Sequence, residues 1–272
     1  MQKRILSGVV GAAFVIFVLF FGQSYPAVLN MITAIIAALA INEIFSVMNI
    51  SKIFIITIPT YIFTAFMPAF GYGISWHVVW YVYSLWIFSA MLLKPDLELK
   101  HITVTYAMAL LISISFSCII NLRDFGGKYG NFFVLIALCI AWMSDTGAYF
   151  CGKLFGKNKL CPEISPKKTI EGFIGGILVC TVSTVALTFL LVLFIFNHHL
   201  HINYKLIIVM SIFGSMISAL GDLCFSMIKR KCGVKDFGTL MPGHGGILDR
   251  FDSVIFVVPY VYIFLKMIPI VN

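Results

Sequence analysis

The sequence predicts an all-α fold, a polytopic transmembrane helical bundle of about nine spans with a cytoplasmic N-terminus. Three observations predict it. Hydrophobic residues make up 61% of the chain and charged residues only 11%, against about a quarter charged in soluble domains. Apolar runs near bilayer length, roughly 17 to 25 residues, recur along almost all 272 positions. The basic residues also concentrate in alternate loops, as the positive-inside rule requires.

The runs cover residues 5–21, 27–48, 53–70, 74–93, 103–120, 131–151, 170–196, 206–228 and 253–270, each bounded by Gly, Pro, Asn or charge. Lys3 and Arg4 precede the first run, but no small-residue cleavage pattern follows it, so a retained span is expected. With the N-terminus inside, all but four of the 19 basic residues fall on the cytoplasmic side. The four are Arg123, Lys128, Lys205 and Lys266, the last two placed near span ends where long side chains snorkel. Adding or removing one middle span would put the basic loops 152–169 and 229–252 on opposite sides, so both are expected to face the cytoplasm.

A net charge of +8 suggests nucleic acid in a soluble protein. Here anionic lipid headgroups account for it, and no nucleic-acid partner is expected. The seven cysteines contain no CxxC pair and no zinc-like spacing. Residues 1–120 hold little polar chemistry beyond Asn42 and Glu43, whose role the sequence leaves unexplained, and are expected to be a scaffold. Residues 121–272 are expected to be the catalytic region, with most of its polar residues between Asp145 and Asp252.

The densest chemistry lies between Ser226 and Ser253. Cations (Lys229, Arg230, Lys231, Lys235, Arg250), the turn Pro242-Gly243-His244-Gly245-Gly246 and the acids Asp249 and Asp252 are packed between two spans. Glycines admit close backbone approach to phosphate, cations neutralise it, and carboxylates hold a bridging divalent metal. A topology loop explains the cations but needs neither the glycine turn nor the acid pair.

Three further segments carry polar groups. Asp222 lies near the inner end of the 206–228 span, where an ionised acid is costly unless paired or hydrated; a neighbouring lysine would satisfy it structurally. Asp145 and Tyr149 stand four apart on one helical face, although a hydrogen bond to a facing helix explains Asp145 almost as well. Ser165-Pro166-Lys167-Lys168-Thr169 precedes a span, so its hydroxyls can cap that helix while its lysines face an anion. Gly172, Gly175 and Gly176 then permit close helix packing. His244 is expected to contact phosphate; His198, His199 and His201 are expected to be solvated loop residues.

At these residues the chain resembles the CDP-diacylglycerol synthases, or phosphatidate cytidylyltransferases. Their pattern runs Ser-x-aliphatic-Lys-Arg, four residues, Lys-Asp-x-small, two residues, a hydrophobic, then Pro-x-His-Gly-Gly-x-x-Asp-Arg-hydrophobic-Asp. Ser226 to Asp252 matches it, with Met241 where Ile, Leu or Phe is usual. The likeness continues through Gly221-Asp222, Ser165 to Gly172 and Ser144 to Lys153, and covers roughly 140 to 270.

The resemblance implies transfer of the cytidylyl group of CTP to phosphatidic acid, giving CDP-diacylglycerol and pyrophosphate, in a bacterial cytoplasmic membrane with the active site on the cytoplasmic side. It implies Mg2+, with room for a second cation, on Asp222 and Asp249. Asp145, Asp222, Lys235 and Asp249 become the catalytic candidates. Ser165, Lys167, Lys168, Thr169, Ser226, Lys229, Arg230, His244, Gly245, Gly246 and Arg250 become the substrate-binding candidates. Membrane lipids are expected partners, and a homodimer is left open. An ion-coupled transporter needs an inverted repeat that is absent from the sequence, and a CTP-dependent lipid or polyprenol kinase would move the γ-phosphoryl group instead. The transporter reading also leaves the 226–252 signature idle, and in a structural membrane scaffold the charged cytoplasmic loops would be docking surfaces.

Overall fold

The computed structural model describes Val15, Phe17, Val18, Gly22 and residues 25–70, 76–195, 202–240 and 245–270. Among the described residues eight long α-helices follow one another: α1 (Pro26–Val47), α2 (Phe54–Phe70), α3 (Trp76–Leu93), α4 (Leu99–Gly126), α5 (Gly130–Phe155), α6 (Ile170–Phe194), α7 (Tyr204–Lys231) and α8 (Leu248–Met267). They coincide with the second to ninth predicted runs; most of the first lies outside the described residues. Six of them, α1 and α3 to α7, are long and apolar enough to cross a membrane. At 17 residues α2 is shorter, and α8 carries Asp249, Arg250 and Asp252 at one end and Lys266 at the other. The chain is a polytopic all-α membrane protein.

The chain forms two compact units. One comprises residues 1–121 with 232–251, the other 122–231 with 252–272. The 232–251 segment thus groups with the N-terminal helices, a partition that linear order does not suggest.

In the first unit α1 ends where Asn49 takes φ of 56°, a left-handed conformation that Asn tolerates. The amide of Ile50 then returns to the carbonyl of Phe45 at 3.0 Å and closes the turn into α2. Pro59 cannot donate to the carbonyl of Ile55, four residues earlier, which would be an expensive orphan in lipid. The indole N–H of Trp86 on α3 supplies the bond at 2.9 Å. Stacking of Phe63 on Tyr83 at 4.2 Å, and a 3.1 Å bond between the Thr60 and Tyr83 hydroxyls, complete the α2–α3 seam.

The second unit is built on small residues. A Cβ on Gly147 of α5 would stand 2.6 Å from the Cβ of Val179 on α6, and one on Gly175 would overlap Cys151. Apolar side chains gain little from leaving lipid for each other, so close backbone approach supplies the packing. Gly221 of α7 admits α8 in the same way, with the Phe256 ring 2.8 Å from where its Cβ would be. Ser144 of α5 and Ser215 of α7 share a buried 2.7 Å bond.

The loop after α5 adds a short two-stranded hairpin to the helical fold. Lys159–Cys161 (β1) and Ser165–Thr169 (β2) pair antiparallel, with Lys159 opposite Thr169 and Cys161 opposite Ser165. Lys and Pro, which make up half of the two strands, suit strands poorly, and the pairing is supported from outside the strands. Glu171 at the start of α6 accepts the amides of Lys157 and Asn158 at 3.0 and 3.1 Å and the Asn158 side-chain amide at 2.8 Å, folding the loop back on itself.

The α5–α6 seam makes a direct forecast. Gly175→Val should destabilise the protein by about 1–3 kcal/mol through overpacking, read as a lower melting midpoint in detergent. Ile174→Val, on the exposed side of the same helix, should leave it unchanged. Equal midpoints would refute the seam.

Candidate active site

Three acids gather in the second unit. Asp145 on α5, Asp222 on α7 and Asp252 on α8 lie within electrostatic reach of one another, although the helices that carry them are mostly apolar. Each has a different partner. Asp145 accepts the hydroxyls of Ser253 at 2.8 Å and Ser218 at 3.4 Å. Asp222 accepts the Ser226 hydroxyl at 3.3 Å, one helical turn on, and pairs through its other oxygen with Lys168 at 2.5 Å. Asp252, only 8% exposed, accepts the amide of Ser253 at 2.8 Å and feels the charge of Lys229.

Lys168 reaches Asp222 because the hairpin and a helix cap fix its backbone. Thr169 caps α6 as expected, its hydroxyl oxygen accepting the amide of Gly172 at 3.1 Å. Apart from the ion pair, the buried Lys168 ammonium has no hydrogen-bond partner among the described residues. Ser165 is half-buried and Lys167 exposed on the same strand.

Of the two readings of Asp145, the hydrogen bond to a facing helix is the one that forms. Tyr149 is 64% exposed, and the serine hydroxyls of α7 and α8 take the carboxylate instead. Helical spacing puts two residues on one face but cannot tell which neighbouring helix offers a better donor.

In the first unit the loop after α7 is organised by two carboxylates. Oδ2 of Asp249 accepts the amides of Phe237 at 2.8 Å and Gly246 at 2.9 Å. The latter reaches back three residues, as the acid of a capping box does. Gly245 has φ of 82°, and a Cβ there would stand 2.9 Å from the same oxygen. Glu43 of α1, 7% exposed, accepts the amides of Ile247 and Leu248 with its two oxygens, both at 2.8 Å. The start of α8 therefore spends several amides on the protein's own carboxylates. Lys235, Asp236 and Arg250 are exposed beside them. His244 and the outer histidines lie outside the described residues.

Two acids gain partners that the sequence does not indicate: Asp252, which reads only as half of an acid pair, and Glu43, which has no evident role in the sequence. The signal in both cases was an acid inside an apolar run, which must find donors. Asn42, next to Glu43, bonds elsewhere: it accepts the Tyr61 hydroxyl at 2.5 Å.

Among the described residues no three His, Cys, Asp or Glu side chains form a closed metal-ligand set. The carboxylates nevertheless fit Mg2+, which binds through one or two protein acids and completes its shell with phosphate oxygens and water. Asp222 already holds one cation, the Lys168 ammonium.

Residues 2–268 match the cytidylyltransferase family. Over 278 positions, 98% of this chain and 98% of its counterpart, the sequence is 34% identical to a phosphatidate cytidylyltransferase of Bacillus subtilis. Proteins of the same name from Staphylococcus epidermidis and Staphylococcus haemolyticus are also similar. The first is 46% identical over 154 residues, covering 57% of this chain and 55% of that protein. The second is 48% identical over 136 residues, half of each. With the family model matched over residues 2–268 and a relative 34% identical along 98% of both chains, the chain belongs to the cytidylyltransferase family.

Proposed function

We propose that this protein transfers the cytidylyl group of CTP to phosphatidic acid, forming CDP-diacylglycerol and pyrophosphate. The observation that carries the reading is the ion pair between Lys168 and Asp222. It joins the segment expected to grip the triphosphate to the segment expected to bind metal. The name shared by the full-length relative and the shorter matches supports the same substrates.

A phosphate oxygen of phosphatidic acid attacks the α-phosphorus of CTP. A new P–O bond forms, the bond to the α,β-bridging oxygen breaks, and that oxygen's electrons leave with pyrophosphate. The attacking phosphate is already anionic near neutral pH, so no protein nucleophile is needed. The residues that matter position and neutralise. Lys167, Lys168, Lys229, Arg230 and Arg250 offset the repulsion between two polyanions, while Ser165, Thr169, Ser226 and the Gly245-Gly246 turn hold their segments in shape. Lys235 is assigned to the same electrostatic role, and His244 to a phosphate contact. Bound Mg2+ supplies charge neutralisation and orientation of the triphosphate. Asp222 in the second unit and Asp249 in the first would each be a cation ligand, with Asp145 and Asp252 tuning the field around Asp222.

The substrates fit a membrane enzyme: CTP is water-soluble, and phosphatidic acid keeps its acyl chains in the bilayer. We assign the basic loops to the cytoplasmic side of a bacterial cytoplasmic membrane, on the charge asymmetry of the sequence.

Asp222→Asn and Asp249→Asn should each lower turnover about 100-fold or more, the scale on which charge-stabilising groups count, while the protein stays folded. The second is informative because an asparagine oxygen can still accept the Phe237 and Gly246 amides that the Asp249 oxygen accepts. Asp236→Asn should retain activity. CDP-diacylglycerol formation across a Mg2+ titration decides it; near-normal turnover with unchanged Mg2+ dependence in both variants would remove these acids from the metal site.

Topology has its own test. In a cysteine-free background, Lys157→Cys and Lys231→Cys should resist an impermeant thiol reagent applied to intact cells and react in inverted vesicles. Labelling from outside would overturn the orientation.

A further inference from the structure

We propose that Glu43, on the first described helix, is a positioning residue for the reaction: it fixes the turn that opens α8 and so sets the direction of Asp249 and Arg250. The inference rests on the cytidylyl-transfer reading and extends the working part of the enzyme into helices whose sequence looks like scaffold.

The geometry is specific to a carboxylate. Each oxygen of Glu43 takes one amide, from Ile247 and from Leu248, across more than 200 residues of sequence. The loop also wraps the group from other sides. A Cβ on Gly238 would lie 2.6 Å from Oε1, and one on Gly246 would overlap Oε2. Gly238, and Gly246 from the turn that reads as a phosphate-binding feature, are therefore required at these positions by the close approach of Glu43. Asp249 clamps the same segment through Phe237 and Gly246, so four consecutive or nearby amides are held by two acids.

A glutamine cannot reproduce this. It has one acceptor oxygen, and its NH2 group would face the second amide, donor against donor, in a buried place where an unmatched N–H is costly. The fold of α1 itself does not depend on the exchange. Its seam with α2 uses other groups, among them the bond from Asn30 to the carbonyl of Ala69 and the one from Tyr61 to Asn42.

The test compares wild type, Glu43→Gln and Asn42→Ala, purified in detergent and assayed with phosphatidic acid, CTP and saturating Mg2+. Glu43→Gln should lower kcat roughly 10- to 100-fold, the range typical of residues that orient a reacting shell. Asn42→Ala should keep the wild-type rate. Hydrogen exchange is the second readout: in Glu43→Gln, peptides covering 245–251 should exchange at least about 10-fold faster, with peptides in α5, α6 and α7 unchanged. Wild-type kcat in Glu43→Gln would overturn the proposal. So would a loss of protection throughout the protein, which would make Glu43 a residue of the fold and not of the turn. If wild type itself makes no CDP-diacylglycerol, the assigned reaction fails, while the exchange data still report whether Glu43 holds the turn.

Discussion

A carboxylate carried into an apolar helix bundle loses its water, and it persists only where donors or cations replace that water. This protein meets the requirement differently at each acid. Glu43 and Asp249 take backbone amides, Asp145 takes serine hydroxyls, and Asp222 takes an ammonium. Removing one partner from a buried charged pair typically costs about 3–5 kcal/mol, a large part of the stability of an ordinary domain. The acids therefore decide how the loops and helix ends are arranged, and the apolar residues fill in around them.

That constraint links packing to chemistry. Gly147, Gly175 and Gly221 let helix backbones approach within van der Waals distance, which brings side chains as short as aspartate and serine within hydrogen-bond range across helices. The hairpin Lys159–Thr169 does the same for a lysine, held by Glu171 on one side and the Thr169 cap on the other. The ion pair of Lys168 with Asp222 keeps both groups in place, an arrangement suited to an enzyme acting on two polyanions.

The helices were legible because an apolar run of bilayer length has few alternatives, and eight of the runs appear with ends shifted by only a few residues. The Thr169 cap and the glycine packing of α6 were equally readable, since both depend on local sequence. Long-range choices were not. The sequence allowed Asp145 a hydrogen bond to a facing helix without saying which helix, and serines on α7 and α8 supply it; nothing in the sequence indicates that Glu43 meets residues 247 and 248. The hairpin was missed because its stability comes from Glu171 and the flanking helices and not from strand-forming residues. A lone acid in an apolar run announces that a partner exists without saying where.

The central claim is that these arranged charges serve cytidylyl transfer and not another use of CTP at a membrane. The most direct measurement follows phosphorus. Purified protein in lipid is given phosphatidic acid, Mg2+ and CTP labelled at either the α- or the γ-phosphorus, and the lipid fraction is counted. The account predicts α-label in CDP-diacylglycerol and γ-label released as pyrophosphate; γ-label in the lipid, with CDP left in solution, would contradict it.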